Sequence, residues 1–185
     1  MHRRVLNLLL GLGLLGIPLY AAADEPSAAL RIAYLPSYTT PKAVAHFLEH
    51  EFTFTRDEEQ FAEADHWQTP EEFLARRAGD CEDYAVLAQA LLQRQGITSY
   101  IVSLLGDDGY AHTVNVFLDS EGRYDVINEG HLRNYHAATL EAAASAVNPS
   151  WTVAMIAVQE GTHGRIVREL YNEHPALTDL PDLPF

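Results

Sequence analysis

Cysteine is nearly missing from this chain: 185 residues contain one, Cys81. A lone thiol excludes a disulfide within the chain and leaves three uses, namely an inert packed side chain, a bridge to a second chain, or a nucleophile. Basic residues are scarce as well, with 12 Lys and Arg against 26 Asp and Glu for a formal charge of −14. A surface of that sign repels nucleic acid and anionic lipid head groups. Apolar runs long enough to span a bilayer are lacking. The one candidate, Val5 to Tyr20, is broken by Gly11, Gly13, Gly16 and Pro18 and falls short of the ~20 residues a span needs. There is no Gly-rich phosphate loop and no serine elbow. His46, His50, His66, His131, His136, His163 and His174 are scattered without zinc-protease spacing.

The N-terminus reads as an export signal. His2-Arg3-Arg4 is a positive start, the apolar stretch follows, and Ala21-Ala22-Ala23 supplies small residues for cleavage. Residues 1–23 are therefore expected to be removed, giving a periplasmic or secreted chain with no membrane span. No cysteine lies near that junction to carry a lipid. An oxidising address makes a single unpaired thiol more notable, because exported chains ordinarily use cysteines in pairs. The expected organisation is one domain over residues 24–174 and a proline-punctuated tail over 175–185.

Helix and strand signals fall in order. After a short strand expected over 30–35, Thr40-Pro41 opens a helix to about Glu51. Residues 52–68 are acidic and aromatic, expected as loop with one helical turn. Thr69-Pro70-Glu71-Glu72 starts a helix to about Arg77, and Gly79-Asp80 resets the chain into a longer one over roughly 81–95. Beyond Gly96 the period becomes that of strands, over 98–105, 110–118 and 123–127, joined by Gly106-Asp107-Asp108-Gly109 and Asp119-Ser120-Glu121-Gly122. A helix near 137–147, a strand near 151–158 and a last helix near 164–171 complete an α+β domain, helices first and an antiparallel sheet after.

Cys81 is expected at a helix N-terminus, where the dipole favours a thiolate and free N–H groups can hold an oxyanion. A thiol nucleophile needs a base, and the base an orienting group. His112 is the best base, in the middle strand on the face it shares with Tyr110, Val114 and Val116. The third strand offers Asp125 and Asn128 as orienters.

Gly-Asp-Cys-Glu-Asp-Tyr-Ala at 79–85, Gln95-Gly96-Ile97, the strand histidine and Arg-Tyr-Asp-Val-Ile-Asn at 123–128 resemble the transglutaminase-like superfamily. The bacterial transglutaminase-like cysteine proteinases are the nearest group, and Trp67-Gln-Thr-Pro-Glu-Glu-Phe-Leu resembles their segment before the cysteine. The likeness spans roughly residues 65–130. It implies a papain-like α+β fold with a Cys-His-Asp/Asn triad, in which Cys81 is the nucleophile and His112 the base. The family's third residue is usually an Asp four positions after an aromatic, and counting from Tyr124 gives Asn128. Asp125 has the expected chemistry in another register. Trp67 and Gln68 are candidates to line the cleft or donate to the oxyanion. No cofactor is required by the resemblance, but acidic residues flanking the cysteine bind calcium in some periplasmic relatives, and Asp80 and Glu82 match them.

The expected activity is a periplasmic thiol protease or amidase acting on an envelope protein or peptide through an acyl-enzyme. Amine transfer, a non-catalytic binding module of the envelope and a Cys81-linked dimer are the competing readings.

Overall fold

Helix starts follow local capping chemistry. The computed structural model describes Tyr38 and residues 40–173. The expected signal peptide, the strand over 30–35, His174 and the tail over 175–185 lie outside the described residues. Thr40 accepts from Ala43 N at 3.2 Å and Pro41 follows, opening α1 (Pro41–Glu51). A two-residue strand β1 (Thr53–Phe54) and a one-turn helix α2 (Asp57–Gln60) come next. Helix α3 (Pro70–Arg76) begins with a reciprocal cap: Glu72 N donates to Thr69 Oγ1 and Thr69 N donates to Glu72 Oε2. It stops at Arg77, which turns left-handed at φ 60°. The chain then enters β2 (Ala78–Gly79) and the long helix α4 (Cys81–Arg94).

The second half is a six-stranded sheet built from β3 (Ser99–Gly106), β4 (Ala111–Leu118), β5 (Tyr124–Asn128), β6 (His131–Ala137), β7 (Trp151–Glu160) and β8 (His163–Tyr171), with helix α5 (Leu140–Val147) between β6 and β7. The spatial order is β6-β5-β4-β3-β7-β8, and every pairing is antiparallel. The β3-β4-β5 meander is where the turn residues placed it. A separate parallel pair, β1 with β2, ties Phe54 to Gly79 just before the cysteine.

Two departures from expectation share a cause. Residues 164–171, expected as a helix, belong to strand β8, which begins at His163. The Gly161-Thr162 turn folds this segment back on β7, from Glu160↔His163 to Val153↔Tyr171, and ladder bonds outweigh weak helical periodicity. Strand β6, not expected at all, arises in the same way from the turn Glu129-Gly130, where both residues have positive φ, 46° and 84°.

The sheet separates two cores. On one side Val44, Leu48, Phe73, Leu87, Leu91 and Leu92 of the helices pack with Phe117 and Ile127. On the other, Val102, Leu104, Val114, Val116 and Val126 pack with Trp151, Leu170 and the alanines of α5. A third cluster, Trp67 with Ala85, Val86, Ile101 and Ala157, joins the first turns of α4 to β3 and β7. Each fully buried aliphatic or aromatic side chain contributes about 1.5–3 kcal/mol.

The β5–β6 turn matters for the site because Asn128 is its first flank. A Cβ on Gly130 would lie 2.5 Å from Glu49 N and 2.7 Å from Glu49 Cα, so the turn sits directly on the backbone of α1. Gly130→Ala is therefore expected to lower stability by about 2 kcal/mol, through a clash with main chain and a strained φ. Urea unfolding of the two proteins measures it.

Candidate active site

Cys81 is presented by a knot of buried polar groups. Asp83, fully buried one turn into α4, accepts from Gln68 N at 2.7 Å on Oδ1. Its Oδ2 accepts from Gln68 Nε2 at 2.6 Å and from Asp80 N at 3.2 Å. Gln68 Nε2 also donates to Ala78 O at 2.9 Å. Gly79 lies under this knot: a Cβ there would overlap Asp83 Oδ2 and come 2.7 Å from Gln68 Nε2 and 2.8 Å from the Phe73 ring. Any larger residue would displace the helix start, which is the physical reason for glycine two positions before the cysteine.

These bonds correct one expectation. Both amide hydrogens of Gln68 are engaged within the knot, so Gln68 has none for an oxyanion; it positions the helix instead. Trp67 is buried with its ring in the third cluster, and its indole N–H donates to Asp65 Oδ1 at 3.1 Å. It lines the cleft and directs no donor at the cysteine.

The cleft beside Cys81 has a volume of about 830 Å³. Asp80, Cys81 and Glu82 form one wall, Ala111, His112 and Thr113 of β4 another, and Trp67, Gly164 and Ile166 a third. The His112 ring is held by Asn128: Nε2 donates to Asn128 Oδ1 at 2.8 Å. That bond puts the ring proton on Nε2 and leaves Nδ1 as the basic atom. Glu129, which sequence reasoning overlooked, brings Oε1 to 3.9 Å from Nδ1. It adds a carboxylate next to the imidazole where Asn128 brings none. Alternation along β4 sends His112 out on the face of Leu104 and Val114, opposite Thr113. Thiol and ring still share surroundings: both line the same cleft with Thr113, and a charge on Cys81 acts on Tyr110, whose ring centroid is 6.1 Å from that of His112.

Asp125 is elsewhere. It is buried in the other face of β5, opposite Phe117, and accepts from His136 N at 2.8 Å. Positions 125 and 128 differ by three, so only one of them can face His112. Asp125 lines a second cleft, of about 850 Å³, with Asp119 and Lys42.

The electrostatics depart from the simple helix-dipole picture. Burial pushes the Cys81 thiol up from its ordinary value, and the Asp80 charge pushes the same way; hydrogen bonds from Thr113 and to Glu82 pull only partly back. The S–H donates to Glu82 Oε2 at 3.2 Å. The expected thiolate is thus not stabilised by the helix end alone. Burial also raises Asp80 to about 8, Glu82 to about 9 and Asp83 to about 7. For Asp80 and Glu82, mutual proximity is part of the perturbation.

Residues 29–146 match the transglutaminase-like domain family. The chain belongs to that family. Strands β7 and β8 follow the matched segment of this transglutaminase-like domain. Among solved structures it is similar to calcium-bound LapG of Legionella pneumophila, at 16% identity and a TM-score of 0.47 over 83% of this chain and 78% of that one. EGTA-treated LapG of the same organism gives 18%, 0.45, and 69% and 67%. A comparison with curated proteins returned no match.

The transglutaminase-like domain also gathers more carboxylates at the cleft than the two flanking the cysteine. Asp57 is buried, and ligand atoms of Asp57, Asp65 and Glu82 lie within 4.8 Å of one another, as do those of Asp57, Asp80 and Asp83. Among the described residues Asp57 Oδ1 and Asp80 Oδ1 are buried without a hydrogen-bond partner. Asp57 and Asp65 come from the acidic 52–68 segment, whose composition was visible although its position over α4 was not. Oxygen donors of this kind suit a hard divalent cation.

A pH dependence follows. Folding raises the values of Asp80, Asp83 and Glu82, so between pH ~4 and the folded values the native state holds protons that the unfolded chain releases. Their contribution is fully present below pH ~4 and is lost as pH rises through 7–9. In the presence of a chelator, the thermal midpoint is expected to fall between pH 5 and pH 9, and the Asp83→Asn protein to show a smaller fall. A midpoint that rises over that range contradicts the assignment.

Proposed function

We propose that this transglutaminase-like domain is a thiol hydrolase that cleaves an amide bond in a protein or peptide of the cell envelope. The observation that carries this reading is Cys81 at the first position of α4 in the same cleft as His112, whose Nε2 is fixed by Asn128. His112 Nδ1 takes the thiol proton, and the sulfur attacks the carbonyl carbon of the scissile amide. Main-chain N–H groups at the start of α4 are suited to hold the oxyanion. His112 returns its proton to the leaving amine, and a thioester remains on Cys81. Water, deprotonated by His112, then releases the acid and restores the thiol. An amine in place of water would make the same intermediate a transfer reaction.

Base assistance matters here because the thiol is held in its neutral form by burial and by the Asp80 charge. General-base help of this type is worth about 10²–10⁴ in rate. Asp57, Asp80 and Glu82 would hold calcium: Asp57 groups with Glu82 in one carboxylate cluster and with Asp80 in another, and Asp57 Oδ1 and Asp80 Oδ1 have no partner among the described residues. A bound ion supplies positive charge next to the sulfur and relieves the repulsion among the carboxyls. The same protein without turnover would be a binding module, a reading favoured by the S–H bond to Glu82. Export to the periplasm is part of the proposal and rests on the residues at 1–23.

The test compares envelope and secreted proteins from cells carrying the wild-type protein, Cys81→Ala, and the wild type with EGTA. The expected result is at least one protein shortened only by the wild type, and its persistence at full length with Cys81→Ala or EGTA. Identical patterns for wild type and Cys81→Ala favour the binding module. Unchanged cleavage in EGTA removes Asp57, Asp80 and Glu82 as calcium ligands.

A further inference from the structure

Among the described residues strand β8 ends the sheet: it pairs with β7 and with no other described strand. Its first residues border the cleft that contains Cys81, where Gly164 and Ile166 are lining residues. The direction of their main-chain groups follows from the hairpin. The turn Gly161-Thr162 has two residues, so its flanks Glu160 and His163 exchange hydrogen bonds, and bonded pairs alternate from there. Val158↔Arg165 is thus a bonded pair, while Gln159↔Gly164 and Ala157↔Ile166 are not. Gly164 and Ile166 consequently turn their N–H groups away from β7, toward the open edge. A bulge after Ile166 resets the ladder, and the bond from Asn172 N to Thr152 O, 3.0 Å, fixes its phase at the far end, where Glu169 faces outward.

The chain already uses this edge once. Trp67 N donates to Thr162 O at 3.1 Å, and the Trp67 ring lies so closely over Gly164 that no Cβ would fit. Beyond that bond the edge runs on with Ile166 and Val167 at 45% and 50% exposure; Ile166 borders the Cys81 cleft, and Val167 lines a separate pocket with Tyr124 and Leu140. Edge strands of soluble proteins are ordinarily blunted by charge or covered, and an apolar pair that no described strand covers, beside a cleft, is a template for an added strand. The occupant most consistent with a cleft that also contains a thiol and an imidazole is an extended peptide.

We infer that the cleft end of β8 is the main-chain docking edge for the peptide substrate, with Gly164 and Ile166 pairing to alternate residues of an extended chain whose scissile amide reaches Cys81. This rests on the proposed thiol hydrolase function. Docking through backbone groups recognises extended conformation more than side-chain identity, and consecutive pairing residues lie about 7 Å apart along the strand. The specificity that follows is for unstructured or extended segments without proline or N-substitution at the pairing positions.

The experiment measures two rates of Cys81 alkylation in the full chain, by iodoacetamide and by acetyl-tetraalanyl chloromethyl ketone. In both, the thiolate displaces halide from the reagent. Ile166→Pro removes one outward N–H without removing a ladder bond, as edge positions allow. It is expected to slow the peptidyl reagent about tenfold, the size of one lost hydrogen bond, with iodoacetamide unchanged. Glu169→Pro, outward-facing at the far end of β8, is expected to change neither rate. A second arm uses wild-type protein alone, with two peptidyl reagents N-methylated on alternate sets of amides. One set is expected to react about tenfold more slowly and the other at the parent rate. Equal rates for the two methylated reagents overturn the inference whether or not Ile166→Pro folds. A peptidyl rate in folded Ile166→Pro equal to that of wild type also overturns it. Failure of iodoacetamide to reach wild-type Cys81 at pH 8.5 overturns the hydrolase reading and this one together, whereas the other two outcomes leave the hydrolase reading intact.

Discussion

One buried carboxylate organises the site. Asp83 accepts three hydrogen bonds from two separate segments, the loop at Gln68 and the helix start at Asp80. It lies on the first turn of α4, so the same bonds that satisfy the helix end fix where Cys81 points. Removing one partner of such a knot leaves buried polar atoms unpaired, at about 1–3 kcal/mol each. Gly79 belongs to the same constraint, because the knot occupies the space in which its side chain would lie. The β1–β2 pairing then holds Gly79 from the other side, through Phe54.

Around this fixed point, two electrostatic influences on the thiol oppose each other. The helix dipole is equivalent to about half a positive charge and is worth about 0.3–1 kcal/mol for an anion at its end. Desolvation and the Asp80 carboxylate act the other way, and in this cleft they win, since the thiol is pushed up. The carboxyls meet the same difficulty and retain protons into the range of 7–9. A site composed in this way has little use for a thiol that ionises by itself. On the proposed function the thiol loses its proton to a neighbour, the part given there to His112.

Where the residues themselves determine local geometry, the sequence was readable. Thr40-Pro41, Thr69-Pro70 and Asp80-Cys81 mark helix starts because capping and proline act within one turn. The meander was readable because Gly106–Gly109 and Asp119–Gly122 are turn chemistry between β-branched runs. Asn128 was preferred to Asp125 on register, and the hydrogen bond to His112 lies on that side of β5. What the sequence concealed depends on distant partners. Strand β8 has no strong period of its own and exists because β7 accepts it. Gln68 reads as a spare amide until Asp83, fifteen residues away, claims it. The rise in the Cys81 pKa was equally hidden, because the dipole is local and burial is not.

The central claim is that Cys81 and His112 act as a proton-transferring pair. Its most direct test is the rate of carboxamidomethylation of Cys81 against pH, in the wild type and in His112→Ala. The account predicts that the wild type reacts at lower pH than His112→Ala, which reacts only above the ordinary thiol range. Superimposable profiles for the two proteins would contradict it.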